Sequence, residues 1–229
     1  MREIVLDTET TGLDPASGHR IVEVACLELI NHIPSGRTFQ RYLNPDRDMP
    51  DDAHAIHGLS AAFLADKPRF GDIATELIAF IDGAPLVIHN AEFDMRFLNA
   101  ELARLQQPAL ASHQAVDTLQ IARRKYPGSP ASLDALCKRF NIDNSARELH
   151  GALLDAELLA EVYLELIGGR QAQLGLAETV AAQKKNSDGV VILRQRSVAL
   201  TPRVGDADRE AHRKFIASLG ENAVWKNYL

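Results

Sequence analysis

Cysteine is nearly absent from this chain. Cys26 and Cys137 are its two, and neither has a CxxC partner. That excludes a zinc ribbon or a disulfide framework, and points to core thiols in a reducing compartment. Long apolar runs are also missing, so no segment is expected to span a bilayer. An acid at position 3, inside a strand-like run, argues against a signal peptide, and a cytoplasmic protein is expected. There is no internal repeat. Excess positive charge is lacking too, since the net charge is −6. Residues 1–168 hold 15 Lys and Arg against 25 Asp and Glu, a net −10, whereas residues 169–229 hold 10 against 6, a net +4. So acidic a body excludes a broad face for a nucleic-acid duplex, which wants basic charge. If it acts on nucleic acid, it should grip a short end while something else holds the rest.

What is present is a foldable alternation. Hydrophobic residues make up 46% and charged residues 24%, as in soluble globular proteins. Strand-like runs cover 3–8, 21–30 and 37–43, with turn signals at Gly12, Asp14-Pro15, Gly18 and across 31–36. Helical spacing follows at about 60–65 and 70–82, the latter through Ile73, Leu77, Ile78 and Ile81. A short buried strand at 85–89 leads into a helix over about 91–106. Another strand ends near Val116, and Asp117 and Ser132 read as caps of the next two helices. A last helix runs over about 151–167. Three early strands followed by alternating helices and strands predict an α/β domain with a mixed sheet over residues 1–168. Residues 169–189 read as a polar linker, and residues 190–229 as a small foldable extension.

The chemistry is carried by acids. Asp7 and Glu9 stand two apart on the first strand, so both carboxylates face one side. A buried strand does not gain stability from paired acids, because unpaired charges are costly to desolvate. A divalent cation with oxygen ligands explains them. Asp94 falls in the first turn of the helix after a central strand, at the carboxyl end of the sheet, where α/β folds place their sites. Alone it would read as an acid favoured by the helix dipole. His150 is expected on the lead-in to the last helix and Asp155 in its second turn, both facing the same cleft. Four carboxylates and a histidine suit two-metal phosphoryl chemistry with Mg²⁺ or Mn²⁺, the neutral imidazole taking a proton from water near pH 7. His19, His32, His54, His113 and His212 show no metal-ligand spacing.

The segments Asp7-Thr8-Glu9-Thr10-Thr11-Gly12, His89-Asn90-Ala91-Glu92-Phe93-Asp94 and His150-Gly151-Ala152-Leu153-Leu154-Asp155 resemble the three motifs of the DEDD superfamily of 3′→5′ exonucleases. The histidine five residues before the last aspartate resembles its histidine subgroup; the tyrosine subgroup would have Tyr where this chain has Gly151. Over Asp51–Leu59, Ser132–Asp143, His150–Tyr163 and the extension, the chain is similar to the family of proofreading epsilon subunits of bacterial DNA polymerase III. The resemblance implies a ribonuclease-H-like mixed five-stranded sheet flanked by helices. It implies that Asp7, Glu9, Asp94 and Asp155 hold two divalent ions and that His150 is the general base. It also implies that Leu13, Ile56, His57 and Phe93 surround the single-stranded 3′ end of DNA, with Thr8, Thr10 and Asn90 beside them.

Residues 190–229 are too few to bury their own apolar surface. They nevertheless contain Ile192, Leu193, Phe215, Ile216, Leu219, Val224 and Trp225, a content that favours docking on a partner over disorder. The resemblance implies that this partner is the polymerase alpha subunit. In the linker, Gln171, Gln173, Leu174 and Leu176 are similar to the short motifs that bind the bacterial sliding clamp. A small accessory subunit is a further partner the sequence leaves open. The reading is a proofreading 3′→5′ DNA exonuclease that releases nucleoside monophosphates. Its rivals are an RNA-trimming exonuclease of the same superfamily and a non-catalytic adaptor between polymerase and clamp; the complete acidic set argues against the adaptor.

Overall fold

The computed structural model describes residues 1–145, 147, 149–168 and 205–219. In chain order these residues form β1 (Arg2–Thr10), β2 (Ile21–Ile30), β3 (Ile33–Tyr42), α1 (Asp51–His57), α2 (Ala61–Leu64), α3 (Phe70–Ile81), β4 (Leu86–Ile88), α4 (Ala91–Arg104), β5 (Ala115–Asp117), α5 (Thr118–Lys125), α6 (Leu133–Phe140), α7 (Ala152–Leu166) and α8 (Asp206–Ser218). The strands make one sheet in the order β3-β2-β1-β4-β5. The first three are antiparallel, while β4 and β5 run parallel to β1. This is the mixed five-stranded sheet the alternation predicts.

The alternation of β1 sorts the two layers. Ile4 and Leu6 pack into one core with Phe70, Leu77, Phe97 and Leu98 of α3 and α4. Val5, pointing the other way, joins a second core with Leu136, Leu159 and Val162 of α6 and α7. Being buried on both faces, β1 is apolar from Ile4 to Leu6. Asp117 caps α5 by accepting from Leu119 N and Gln120 N, and Ser132 caps α6 through Ala135 N, both as expected.

Two local readings change. The turn expected across 31–36 is only Asn31-His32, both left-handed at φ 53° and 67°, and β3 starts already at Ile33. Pro34 and Gly36 signal a loop but lie in β3, which tolerates them because it is an edge strand. The segment 51–57, to which the periodicity assigned no helix, is α1. Its acids Asp51 and Asp52 sit in the first turn and His57 in the last, in accord with the dipole, and Gly58 ends it at φ 73°. Only Ala53 and His57 of α1 are buried, so there is no apolar stripe to read.

The described residues belong to two units, the second represented by α8 alone. Within α8, Ile216 is buried, whereas Phe215, like Leu219 just beyond the helix, is exposed. Ile192, Leu193, Val224 and Trp225, and the linker residues Gln171, Gln173, Leu174 and Leu176, lie outside the described residues.

One buried polar cluster ties β1, α7 and the β2–β3 turn together. Tyr163 Oη donates to Oε1 of the buried Glu3 at 2.8 Å, and His32 Nδ1 lies 2.7 Å from the other oxygen. Tyr163→Phe should cost about 1–3 kcal/mol, because it leaves a buried acceptor short of a donor. Urea unfolding should show a lower midpoint with an unchanged slope. An unmoved midpoint would remove this cluster from the list of stabilising contacts.

Candidate active site

The carboxyl ends of β1 and β4 lie side by side, because the two strands are parallel neighbours. On β1, residues 5, 7 and 9 share a face, and Val5 marks it as the α7 side. Asp7 and Glu9 are therefore aimed toward Asp155. Gly151 is the N-cap of α7 and Asp155 closes its first turn, its N–H bonded to Gly151 O at 2.9 Å. The expected second-turn position is thus corrected by the helix beginning one residue after Gly151. His150 stands on the lead-in, as expected, and its N–H donates to Ile56 O at 3.1 Å, tying the segment to α1.

Thr8 faces the other layer. Its Oγ1 donates to Asp94 Oδ1 at 2.7 Å, fixing the first-turn carboxylate of α4. Asn90, the N-cap of α4, is left-handed at φ 64°, and its N–H donates to Asp117 Oδ1 at 3.3 Å. The β1–β2 register shifts between Glu9 and Thr10, a bulge of the kind that re-aims side chains beside sites.

Together these elements enclose a cleft of about 670 Å³. Asp7, Glu9, Asp94, His150 and Asp155 all line it, with Thr8, Leu13, Asn90 and Phe93. A neighbouring cavity of about 520 Å³ adds Thr10, Ile56 and His57 and shares Thr8, Glu9, Leu13 and Phe93. Every residue singled out in the three motifs, and both from the 51–59 segment, thus borders one of two adjoining spaces. Leu13 is 77% exposed and Ile56 50%, so two apolar side chains stand open at the rim. Phe93 packs on Phe97 with centroids 5.0 Å apart and also faces both cavities, so it is core and wall at once. His57 sits at the end of α1, and burial lowers its pKa.

The carboxylates repel one another. Burial, then the charges of Asp155, Glu23 and Asp94, push Glu9 up to about 8. Burial raises Asp94 to about 7 against the hydrogen bond from Thr8, which lowers it. Asp7 is raised well above its ordinary value by burial, then by Asp94, Glu9 and Asp155. Such a cluster is short of positive charge. Glu9, His150 and Asp155 offer ligand atoms that all lie within 4.8 Å of one another. A donor set of carboxylate oxygens with one imidazole fits a divalent cation.

Several contributing residues escape sequence reasoning. Glu23 on β2, opposite Glu9, accepts from Ala152 N at 3.2 Å and so seats the start of α7. His89 Nδ1 lies 2.9 Å from Thr118 Oγ1, joining the ends of β4 and β5. Arg147 reaches Asp155 through Nε at 2.5 Å and Nη2 at 2.7 Å, and Asp134 through Nη1 at 2.7 Å. It has no periodic signal. What could have found it is scarcity, since it is the one Lys or Arg between Arg139 and Arg170.

A mixed sheet carrying a cluster of buried acids at its carboxyl edge defines a nuclease of the ribonuclease-H-like class. Residues 4–163 match the family model described as Exonuclease. A DNA polymerase III subunit epsilon of Rickettsia felis is 47% identical over 226 residues, covering 97% of this chain and 99% of that protein. The one of Escherichia coli K12 is 40% identical over 237 residues, covering 98% and 97%. Among solved structures, exonuclease X in complex with 5′-overhanging duplex DNA superposes with a TM-score of 0.57 at 29% identity, covering 72% of this chain and 91% of that one. The chain belongs to the exonuclease family, in its branch of DNA polymerase III epsilon subunits, and is a 3′→5′ exonuclease of the proofreading kind.

The raised carboxylates set a pH dependence. Glu9 moves from an ordinary 4.5 to about 8 on folding, so between those values the folded protein holds a proton that the unfolded chain has released. Stability then falls as pH rises. Asp94 acts with the same sign from 3.8 to about 7. Without divalent cations, the melting temperature should decline from about pH 5 to about pH 8, and Glu9→Gln should flatten the decline. An equally steep decline in Glu9→Gln would locate its source elsewhere.

Proposed function

We propose that this cleft hydrolyses the 3′-terminal phosphodiester of single-stranded DNA using two divalent ions, Mg²⁺ or Mn²⁺, and so proofreads for a replicative polymerase. The observation that carries the reading is the convergence of Asp7, Glu9, Asp94, His150 and Asp155 on one cavity. Asp7, Glu9 and Asp155 would hold one ion; Asp7 would also reach the second, and Asp94 would line the pair. When bound, such ions neutralise charge on the reacting phosphate and lower the pKa of water.

The remaining roles belong to the chain itself. His150 is half-exposed at the cleft, where a neutral imidazole can take a proton from the attacking water. Leu13, Ile56, His57 and Phe93 present an apolar and aromatic wall to the terminal nucleoside, and stacking on an aromatic face tolerates any base. Thr8 orients Asp94, while Thr10 and Asn90 border the substrate. An acidic body repels duplex backbone, so a frayed end should enter more readily than a paired one.

The relatives' name supports association with the other subunits of a DNA polymerase III, and with it a cytoplasmic setting. On this reading residues 1–168 are the nuclease, residues 190–229 dock on the alpha subunit, and Gln171, Gln173, Leu174 and Leu176 of the linker touch the sliding clamp. A small accessory subunit could bind the nuclease domain as well. No helix among the described residues is long and apolar enough to cross a membrane.

Incubation with a 3′-mismatched primer, a paired primer and a short RNA, each with and without Mg²⁺, tests the reading. Mg²⁺-dependent release of nucleoside monophosphates should be fastest from the mismatch, because unstacking a pair costs roughly 1.4 kcal/mol per step. Asp7→Ala and Asp155→Ala should abolish release, and His150→Ala should slow it about 10²–10⁴-fold with metal affinity largely kept. Equal rates on paired and mismatched ends would sink the proofreading role, and preference for RNA would favour an exoribonuclease. Loss of metal affinity in His150→Ala matching that in Asp7→Ala would make His150 a ligand.

A further inference from the structure

Arg147 occupies both groups that the proposed chemistry most needs. Its side chain is 7% exposed, and its guanidinium meets the two oxygens of Asp155 in a fork, Nε to Oδ1 at 2.5 Å and Nη2 to Oδ2 at 2.7 Å. The same Nη2 lies 2.8 Å from His150 Nδ1. A guanidinium donates and never accepts, so this contact makes Nδ1 the acceptor and uses its lone pair. Nη2 carries two hydrogens, one for each partner. The third arm, Nη1, donates at 2.7 Å to Asp134, whose side chain is 57% exposed in the first turn of α6.

We propose that Arg147 is the cleft's built-in counter-cation and a positioning residue for the exonuclease reaction. It holds Asp155 and His150 in place before a divalent cation arrives, then releases both while Asp134 keeps the guanidinium at the rim: Asp155 goes to the cation, and His150 regains the single lone pair that a neutral imidazole needs to take a proton. Arg147 and the ion compete for the same carboxylate, because an Asp155 oxygen committed to a short charge-assisted hydrogen bond is a poor ligand. Two consequences have opposite signs. Removing the guanidinium frees Asp155 and removes a positive charge from the ion's surroundings. Removing Asp134 leaves Asp155 as the one carboxylate bonded to the guanidinium and strengthens its hold.

The inference rests on the metal reading above, and the test separates the two. Mn²⁺ alone is titrated into the full chain, with free Mn²⁺ followed by electron paramagnetic resonance and melting followed in parallel. Arg147→Gln should bind Mn²⁺ about tenfold more tightly than the parent, equivalent to 1.4 kcal/mol, and Asp134→Asn several-fold more weakly. The metal-free Arg147→Gln protein should melt lower and gain more from added Mn²⁺. Arg147→Lys keeps the charge but loses the fork, so it should fall between parent and Arg147→Gln, and it stands in if Arg147→Gln does not fold. A purely structural arginine predicts the reverse, since loosening Asp155 and His150 would weaken binding. Unchanged or weaker Mn²⁺ binding in Arg147→Gln, or in Arg147→Lys where that is the variant tested, therefore overturns the inference. Unchanged binding in Asp134→Asn overturns the role given to Asp134. Parent protein that binds no Mn²⁺, or binds it as well after Asp155→Asn, overturns the metal reading itself and the inference with it.

Discussion

Like charges forced together at the carboxyl edge of β1 are the constraint around which this structure is arranged. Asp7, Glu9, Asp94 and Asp155 border one cleft, with Glu23 acting on Glu9 from the neighbouring strand. Burial, joined at Glu9 by the charges of Asp155, Glu23 and Asp94, raises the pKa values of Glu9 and Asp94 to about 8 and about 7. Groups placed this way are a net cost to folding, and a protein retains such a cost where a cation is to be bound or a reaction performed. The neighbouring contacts read as measures that contain it. Thr8 donates to Asp94, Arg147 to Asp155, and the N–H of Ala152 to Glu23.

The sheet makes this convergence possible. The alternation of β1 sends Asp7 and Glu9 toward α7 and Thr8 toward α4, so a single strand addresses two helices from its two faces. Parallel pairing with β4 brings the start of α4 to the same edge. Antiparallel pairing with β2 puts Glu23 opposite Glu9, within reach of the start of α7. A one-residue slip of β1 against β2 would exchange those faces and bury the acids on the wrong side.

Legibility in the sequence followed physical regularity. The buried strands and the periodic helices carried their own signals, as with Ile73, Leu77 and Ile81 in α3. The acids were legible because paired carboxylates on a buried strand contradict stability and so demand a ligand. α1 was not legible, since a seven-residue helix with two buried residues has no stripe. The Asn31-His32 turn was masked by Pro34 and Gly36, whose loop character the edge position of β3 overrides. Arg147 was hidden for a different reason. It acts from an irregular segment through contacts to α6 and α7, 13 residues back and 8 residues ahead, and no helix or strand period encodes a counter-charge at such spacings. Charge scarcity is a usable substitute: where acids cluster and one arginine stands in the surrounding thirty residues, that arginine is the candidate partner.

The same electrostatics bear on substrate choice. A body with net charge −10 over residues 1–168 offers a polyanion little general attraction. On the proposed reading, attraction is confined to the few ångströms around bound cations, because salt screens weaker and more distant fields within about 8–10 Å. A strand can then reach the cleft only by its end, with apolar contacts from Leu13, Ile56 and Phe93 supplying what phosphate contacts do not. Such a nuclease has weak purchase on DNA by itself and gains from being held near its substrate. Tethering supplies that proximity through effective concentration, without new contacts in the cleft. The net +4 of residues 169–229 is consistent with this division of labour, in which the acidic cleft selects and the rest of the chain attaches.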